Sequence, residues 1–246
     1  MHGDSEFVEL LRKMAHDIRA PLGAVISTSD MLADGVYEPL TPRQARANER
    51  VQRNGRRALA ILDDFVTYMK ADADQLDLTP TVFEPRVSLS DWCAPIQTAA
   101  EAKGLAFHLT TQETVPAYLQ GDASAISRIV TALAWNAVAF TAQGSISIDS
   151  AWTSDDQWLL RVKDTGIGIP AENAPHIFEP FWRGEDRPQV PTASIGIGLA
   201  LSSALVKLMG GKLLLTQTDS TGSTFSLFLP LKTGSQDDER IAKQRL

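Results

Sequence analysis

A chain of 246 residues, 43% hydrophobic and 22% charged, has enough apolar material for one or two packed domains, and two is the expectation here. The formal charge of -7 and pI near 5.1 exclude a protein built to cover nucleic-acid backbone, which needs a basic surface. A single cysteine, Cys93, excludes an internal disulfide or a cysteine-built zinc site and suits the cytoplasm. No apolar run approaches the ~20 residues of a membrane span, and the opening lacks a signal peptide's apolar core, so no membrane insertion is expected.

From Ser5 to Ala33 apolar residues recur at Phe7, Leu11, Met14, Ile18, Leu22, Val25 and Leu32, a spacing of threes and fours that predicts a helix with one place missing, at Ser29. Asp34 and Gly35 stop it. Within this helix, KMAHDIRAPL (Lys13 to Leu22) sets an imidazole, His16, beside a carboxylate, Asp17. A largely neutral imidazole keeps one ring nitrogen free to attack an electrophile. Pro21 removes a helical N–H and should bend the helix near His16.

Thr41 and Pro42 open a second helix, cap residue followed by proline, which continues through Ala47, Val51, Asn54, Ala58, Ile61, Phe65 and Tyr68. Two such helices make an antiparallel hairpin that cannot bury both apolar stripes alone, so a homodimeric four-helix bundle is expected. Arg43, Arg46, Arg50, Arg53, Arg56 and Arg57 give the second helix a basic surface, suited to solvent or to an acidic partner.

Periodicity stops near Asp72, and ADADQLDLTPTVFEP is read as a linker. A first domain over residues 1–78, a second over 79–232 and a loose tail over 233–246 follow. The second domain begins with a helix from Leu89 to Lys103 and strands in LAFHLTT and AYLQ. A helix from Ala123 to Thr141 follows, then an antiparallel pair, Ser145 to Ala151 and Trp158 to Lys163. Ile169 to Ser194 is a long loop rich in proline, glycine and charge. A helix from Gly198 to Met209 and strands Lys212 to Thr218 and Ser223 to Leu229 close the domain. Helices and mostly antiparallel strands without regular βαβ alternation predict a helix layer on one sheet face.

Three places carry more polar and glycine information than a core requires. Asn136 lies on an otherwise apolar helix, where its amide oxygen suits a divalent cation or a buried hydrogen bond. In VKDTGIGIP a strand ends at Asp164, followed by Gly166 and Gly168; a carboxylate there can accept from an exocyclic amino group, and the glycines admit close backbone approach. In SIGIGLAL, Gly196 and Gly198 precede a helix whose free N–H groups suit phosphate oxygens. Each alone is weak.

In this order, with FEPFWRG between the last two and HDIRAPL upstream, they resemble the sensor histidine kinases, over roughly residues 5 to 231. The resemblance implies a dimerising helical hairpin followed by a Bergerat-type α/β sandwich with a mixed sheet. It makes His16 the phosphoacceptor, Asp17 its activating acid and Asn136 the Mg²⁺ ligand. Asp164 becomes the adenine-recognising aspartate, with Gly166 and Gly168 its turn. Phe178 and Phe181 match the lid phenylalanines, Gly196 and Gly198 the glycines near the phosphates, and Thr224 a position near adenine; Arg183 is a candidate phosphate contact.

ATP and Mg²⁺ are the implied cofactors, and autophosphorylation on His16 with transfer to an aspartate of a response-regulator receiver is the implied activity. A sensor domain is expected outside this chain. Three departures bear on activity: Ala132 replaces the family's earlier asparagine, Ala139 its lysine, and Ser194 the first glycine of the last motif. Ala20, four residues after His16, stands where a Thr or Asn supports dephosphorylation, which predicts weak phosphatase activity. A gyrase-like hydrolase would need a water-activating Glu where Ala132 stands. A degenerate kinase acting as a nucleotide-binding or partner-binding scaffold is the alternative.

Overall fold

The computed structural model describes residues 2–183 and 196–235, with side chains from Lys13 onward. Two compact units divide between Leu76 and Asp77, two residues ahead of the expected boundary.

The first unit is a hairpin of α1 (His2–Ala33) and α2 (Pro42–Asp72). A reciprocal capping box opens α2: the Thr41 hydroxyl accepts from the Gln44 N–H, and the Gln44 side chain accepts from the Thr41 N–H at 2.9 Å, satisfying donors that a helix start leaves free. Gly35, at φ 71°, turns the chain after α1. Helix α1 runs unbroken through Pro21.

The gap in the α1 apolar pattern has a physical reason. Ser29 is buried and donates to Asn48 Oδ1 at 2.5 Å, while Asn48 Nδ2 donates to the Ser29 carbonyl at 2.7 Å. A polar pair so satisfied fixes helix register at little cost. One helical heptad along α2, Gly55 is buried because a Cβ there would stand 2.8 Å from Ile26 Cγ1. Arg19 pairs with Asp63 at 2.6 Å and Arg56 with Asp30 at 2.7 Å, both exposed and therefore worth little. Met14, Ile18, Val25 and Val51 remain 44–50% exposed, so the expected apolar stripe is not covered by the hairpin's own second helix.

The second unit comprises β1 (Thr81–Phe83), α3 (Pro85–Ala102), β2 (Ala106–Thr111), β3 (Leu119–Gly121), α4 (Ala123–Phe140), β4 (Ser145–Trp152), β5 (Trp158–Asp164), α5 (Gly198–Leu208), β6 (Lys212–Asp219), β7 (Gly222–Leu229) and β8 (Lys232–Thr233). The main sheet has the order β2-β4-β5-β7-β6. Only its β2–β4 pair is parallel, making the sheet mixed as expected. A second, small antiparallel sheet has the order β1-β3-β8.

The core lies between the main sheet and α3, α4 and α5. Leu89 and Ile96 of α3, Ile126, Ile129 and Leu133 of α4, and Leu205 of α5 are fully buried with Ile146, Ile148, Leu160 and Leu227 of the strands. Each such side chain contributes about 1.5–3 kcal/mol on leaving water. Trp158 is buried with them, its indole N–H donating to Ser150 Oγ at 2.8 Å. Helix α4 is apolar enough to count as a membrane span by composition, but eight of its residues pack into this core.

Three elements differ from the expectation. Strand β1 lies inside the stretch read as linker, because its three residues pair with β3, a contact with no local signature. Helix α3 starts at Pro85 rather than Leu89, with proline in the first turn where its missing N–H costs nothing. Thr233 follows Lys232 in β8, paired with Leu119 as Lys232 is with Gln120, and so does not belong to a loose tail. Residues 236–246 lie outside the described part.

Candidate nucleotide-binding site and phosphoacceptor

Asp164 ends β5, a strand flanked on both sides by β4 and β7, and its side chain is only 7% exposed. The Gly166 N–H donates to its Oδ1 at 2.8 Å. Burial pushes this carboxyl above the ordinary aspartate range, while backbone hydrogen bonds from Gly166 and Ser223 pull the other way. A carboxylate held so deep keeps acceptor capacity for a ligand's N–H.

The turn after Asp164 is sealed on two sides. A Cβ on Gly166 would collide with the Phe140 carbonyl, at the end of α4, and stand 2.9 Å from Asp164 Oδ1. Gly168, at φ 68°, leaves no room for a Cβ against the Asp219 carbonyl, and Gly222 none against the Asp164 carbonyl. Ile169 N–H donates to Thr218 Oγ1 at 2.7 Å. The glycines are thus demanded by close approach of backbone to backbone, before any ligand is considered.

Along α4, Ala132, Asn136 and Phe140 follow one another at four-residue intervals and share a face. Ala132 lies 3.8 Å from where a Gly198 Cβ would be, so this stripe runs from the first turn of α5 to the Asp164 turn. Asn136, midway, is half-buried, and its side-chain amide has no hydrogen-bond partner among the described residues. The structure therefore brings Asn136, Asp164, Gly166 and Gly198 to one end of the helix layer.

The loop preceding α5 is anchored at its base. Phe181, at φ 63° and 51% exposed, donates its N–H to the Gly196 carbonyl at 2.9 Å. A Cβ on Gly196, itself at φ 80°, would stand 2.6 Å from the Trp182 carbonyl. Phe178 packs edge-on against Phe225 of β7, ring centroids 6.4 Å apart. His176, with no partner legible in sequence, bonds Glu179 at 2.8 Å and stacks on Trp182. Arg183 is exposed at the edge of the described residues; Ser194 lies outside them.

Thr224 stands on the other side of the sheet from Asp164. It is paired with Lys163, and paired residues of an antiparallel ladder point the same way, here toward the exposed face. Ser223, buried, shares the Asp164 side. Period-two alternation through GSTF is the signal that could have found it. Lys103 was also unforeseen: its Nζ donates to the Val138 carbonyl at 2.6 Å and the Ala139 carbonyl at 3.5 Å, placing a cation at the negative end of α4.

In the hairpin unit, His16 and Asp17 are both exposed on α1. Adjacent residues on a helix diverge by about 100°, and no hydrogen bond joins these two side chains. Ala20, one turn on, is exposed as well. Pro21 deprives the Asp17 carbonyl of its helical donor, leaving a polar backbone group beside His16.

The residues fit a nucleotide with a divalent cation. Asp164 is a buried acceptor suited to an amino group, Asn136 offers an unpartnered amide oxygen of the kind Mg²⁺ takes, and α5 presents free N–H groups beside it. A buried aspartate closing a central strand, an asparagine-bearing helix and a helix start across from it define a Bergerat-type ATPase domain, preceded by a phosphoacceptor hairpin.

Comparison with known proteins gives the same assignment. Residues 8–74 match the His Kinase A (phospho-acceptor) domain, and residues 121–233 match the histidine kinase-, DNA gyrase B- and HSP90-like ATPase domain. The chain is 31% identical over 236 residues to the sensor protein TorS of Escherichia coli, covering 95% of this chain and 25% of that protein. It is 29% identical to the sensor protein GacS of Pseudomonas syringae, over 94% of this chain and 26% of that one. Among solved structures, full-length ShkA in complex with AMPPNP superposes with a TM-score of 0.78 at 24% identity, over 92% of this chain and 46% of that chain. The Acinetobacter baumannii histidine kinase AdeS superposes with a TM-score of 0.61 at 21% identity, over 87% of this chain and 96% of that one. The chain belongs to the two-component sensor histidine kinases, of which it carries the core of two domains. It spans about a quarter of the length of the curated relatives named here.

Proposed function

We propose that this chain transfers the γ-phosphoryl group of ATP to His16 and passes it to an aspartate of a response-regulator receiver. The observation that carries the reading is Asp164, buried at the end of a central strand against a turn that only glycine can make. A purely structural turn has no use for an ionisable group held there against its desolvation cost.

When bound, ATP supplies the phosphoryl group and Mg²⁺ neutralises its charge, so positioning carries most of the catalysis. Asp164 would hold the adenine amino group, Asn136 the metal through its amide oxygen, and the first turn of α5, from Gly198, the phosphate oxygens. A neutral ring nitrogen of His16 is the nucleophile, and exposure on α1 keeps it accessible. Asp17, as general acid–base partner, would reach the imidazole only by a rotamer change across the diverging helix positions. Ala20 offers no polar group to orient a water, which supports weak phosphatase activity.

The exposed stripe of Met14, Ile18, Val25 and Val51 supports a homodimer, because a second copy of the hairpin would remove it from water. A cytoplasmic site of action is part of the same reading, since receivers and ATP are met there.

Incubation with γ-labelled ATP and Mg²⁺ tests it: wild type is expected to acquire an acid-labile label that His16→Gln lacks. Absence of label on wild type would favour the second reading, a nucleotide-binding or partner-binding scaffold. Ala132 and Ala139 favour that reading, since neither side chain can contact a metal or phosphate.

A further inference from the structure

The carbonyls at the end of α4 find their donors in three different places. A helix C-terminus leaves its last carbonyls without intrahelical donors. Here the Ala137 carbonyl accepts from the N–H and the hydroxyl of Thr141, at 3.1 and 2.7 Å. The Phe140 carbonyl accepts from the Ile167 N–H at 3.4 Å. The two between them, of Val138 and Ala139, are reached by one group on another helix, the Lys103 ammonium, at 2.6 and 3.5 Å.

Lys103 works from a fixed mount. It is the C-cap of α3, where the Gly104 N–H donates to the Glu101 carbonyl and the Leu105 N–H to the Ala100 carbonyl, both at 2.9 Å. With Gly104 at φ 80°, this is the double closure of a Schellman motif. Leu105 is buried, and the next N–H, of Ala106, donates to the Gly144 carbonyl at 3.0 Å. A lysine serving only the helix dipole could stand anywhere in the last turn of α4 itself. That turn holds no basic residue.

The end that Lys103 holds is the end against which the candidate site is built. The Phe140 carbonyl lies so close to Gly166 that a Cβ there would collide with it, and Asp164 is two residues earlier. Asn136 stands one turn back along α4, about 6 Å away, and its side-chain amide has no hydrogen-bond partner among the described residues. The α4 backbone therefore sets where that amide stands relative to Asp164. We propose that Lys103 is a positioning residue for the nucleotide site, clamping the last turn of α4 so that Asn136 keeps its register against the Asp164 turn. The proposal rests on the reading above of Asn136 as the metal ligand and Asp164 as the adenine acceptor. Without the clamp the Val138 and Ala139 carbonyls turn to water and the last turn of α4 loosens. The Asn136 side of the site then shifts, while Asp164 stays held by β5 and its paired strands.

The test is ATP binding to the full chain by calorimetry, with and without Mg²⁺, in wild type, K103M, K103R, N136A and K103M/N136A. In wild type Mg²⁺ is expected to tighten ATP binding. K103M should lose about tenfold of that gain, the scale for removing a group that supports a metal ligand, with Mg²⁺-free affinity within about twofold of wild type. K103R, which keeps the charge and the donors, should recover most of the loss. N136A should abolish the gain, and K103M/N136A should bind ATP as N136A does, because nothing is left to position. A cap without bearing on the site would lower the melting temperature of K103M and leave the Mg²⁺ gain intact. That result overturns the proposal, as do effects of K103M and N136A that simply multiply. Should K103M not fold, K103Q, neutral and one bond shorter, takes its place in each comparison. Wild type that binds ATP with no Mg²⁺ gain refutes the reading of Asn136, and wild type that binds no ATP refutes that of Asp164; either removes the proposal with it.

Discussion

The two units hold their functional residues in opposite ways. In the α/β unit, Asp164 is buried at the end of a central strand, and its turn is fixed from α4 on one side and the β6–β7 hairpin on the other. In the hairpin, His16 stands exposed on one face of α1, and the described residues that are fully buried are small or polar: Ala15, Ser29, Asn48, Gly55 and Ala71. Reading a flat heterocycle requires a preorganised, water-poor pocket. A residue that must meet first a nucleotide and then a second protein requires access. On the function proposed above, the difference teaches that burial marks the binding residue and exposure the reacting one.

The hardest test of that contrast is Gly168→Ala. With φ at 68° and the Asp219 carbonyl against the missing Cβ, the substitution should cost about 3 kcal/mol or more and abolish nucleotide binding, seen in chemical denaturation and in titration with a fluorescent ATP analogue. Near-wild-type stability would show that the turn is not held as described.

Asp164→Asn should lower ATP affinity by roughly 10- to 100-fold, the worth of a hydrogen bond to a charged acceptor, without unfolding the domain. Its stability has a distinct pH signature. Burial raises the Asp164 pKa in the folded state, so this group favours folding below the ordinary aspartate value near ~3.9, and that contribution is lost as pH rises through the raised value. At neutral pH the ionised side chain is a cost. Asp164→Asn should therefore be neutral or slightly stabilising at pH 7, with the gain disappearing in acid; a marked loss of melting temperature at neutral pH would break the comparison.

In the hairpin, Asn48→Ala leaves the buried Ser29 hydroxyl only the long contact to the residue 48 carbonyl, at 3.4 Å, and should cost about 1–3 kcal/mol. The double change Ser29→Ala with Asn48→Leu should recover much of it, because an apolar pair leaves nothing unsatisfied. Equal melting temperatures for the single and double variants would show that the pair does not act as a unit. The smallest effect is expected for Gly55→Ala. The added Cβ would stand 2.8 Å from Ile26 Cγ1, on a β-branched side chain stiff at χ1 that must shift to admit it, and alanine's helix propensity offsets part of the crowding, leaving a net loss of about 1 kcal/mol by thermal melting.

Much of this was legible in the residues. The three-four spacing of α1 and α2, the Thr41–Pro42 start and the alternation of β4, β5, β6 and β7 are local signals, and the helices and strands follow them closely. Asn136, Asp164, Gly166 and Gly198 stood out as candidates because their chemistry is unusual for their surroundings. What escaped has a common cause. Strand β1 and strand β8 exist only through pairing with β3. Lys103 reaches α4 from the end of α3. Ser223 rather than Thr224 shares the Asp164 side because of a register set between two strands.

The sequence by itself determined the periodicities, the turn and cap residues and the chemical types present, since each depends on a few neighbouring residues. The tertiary structure alone decided that Ala132 faces Gly198, that Gly168 must be glycine because of Asp219, and that Ser29 is satisfied by Asn48. Those contacts join residues 19 to 66 positions apart, and close packing leaves a position no choice once a distant backbone has come against it.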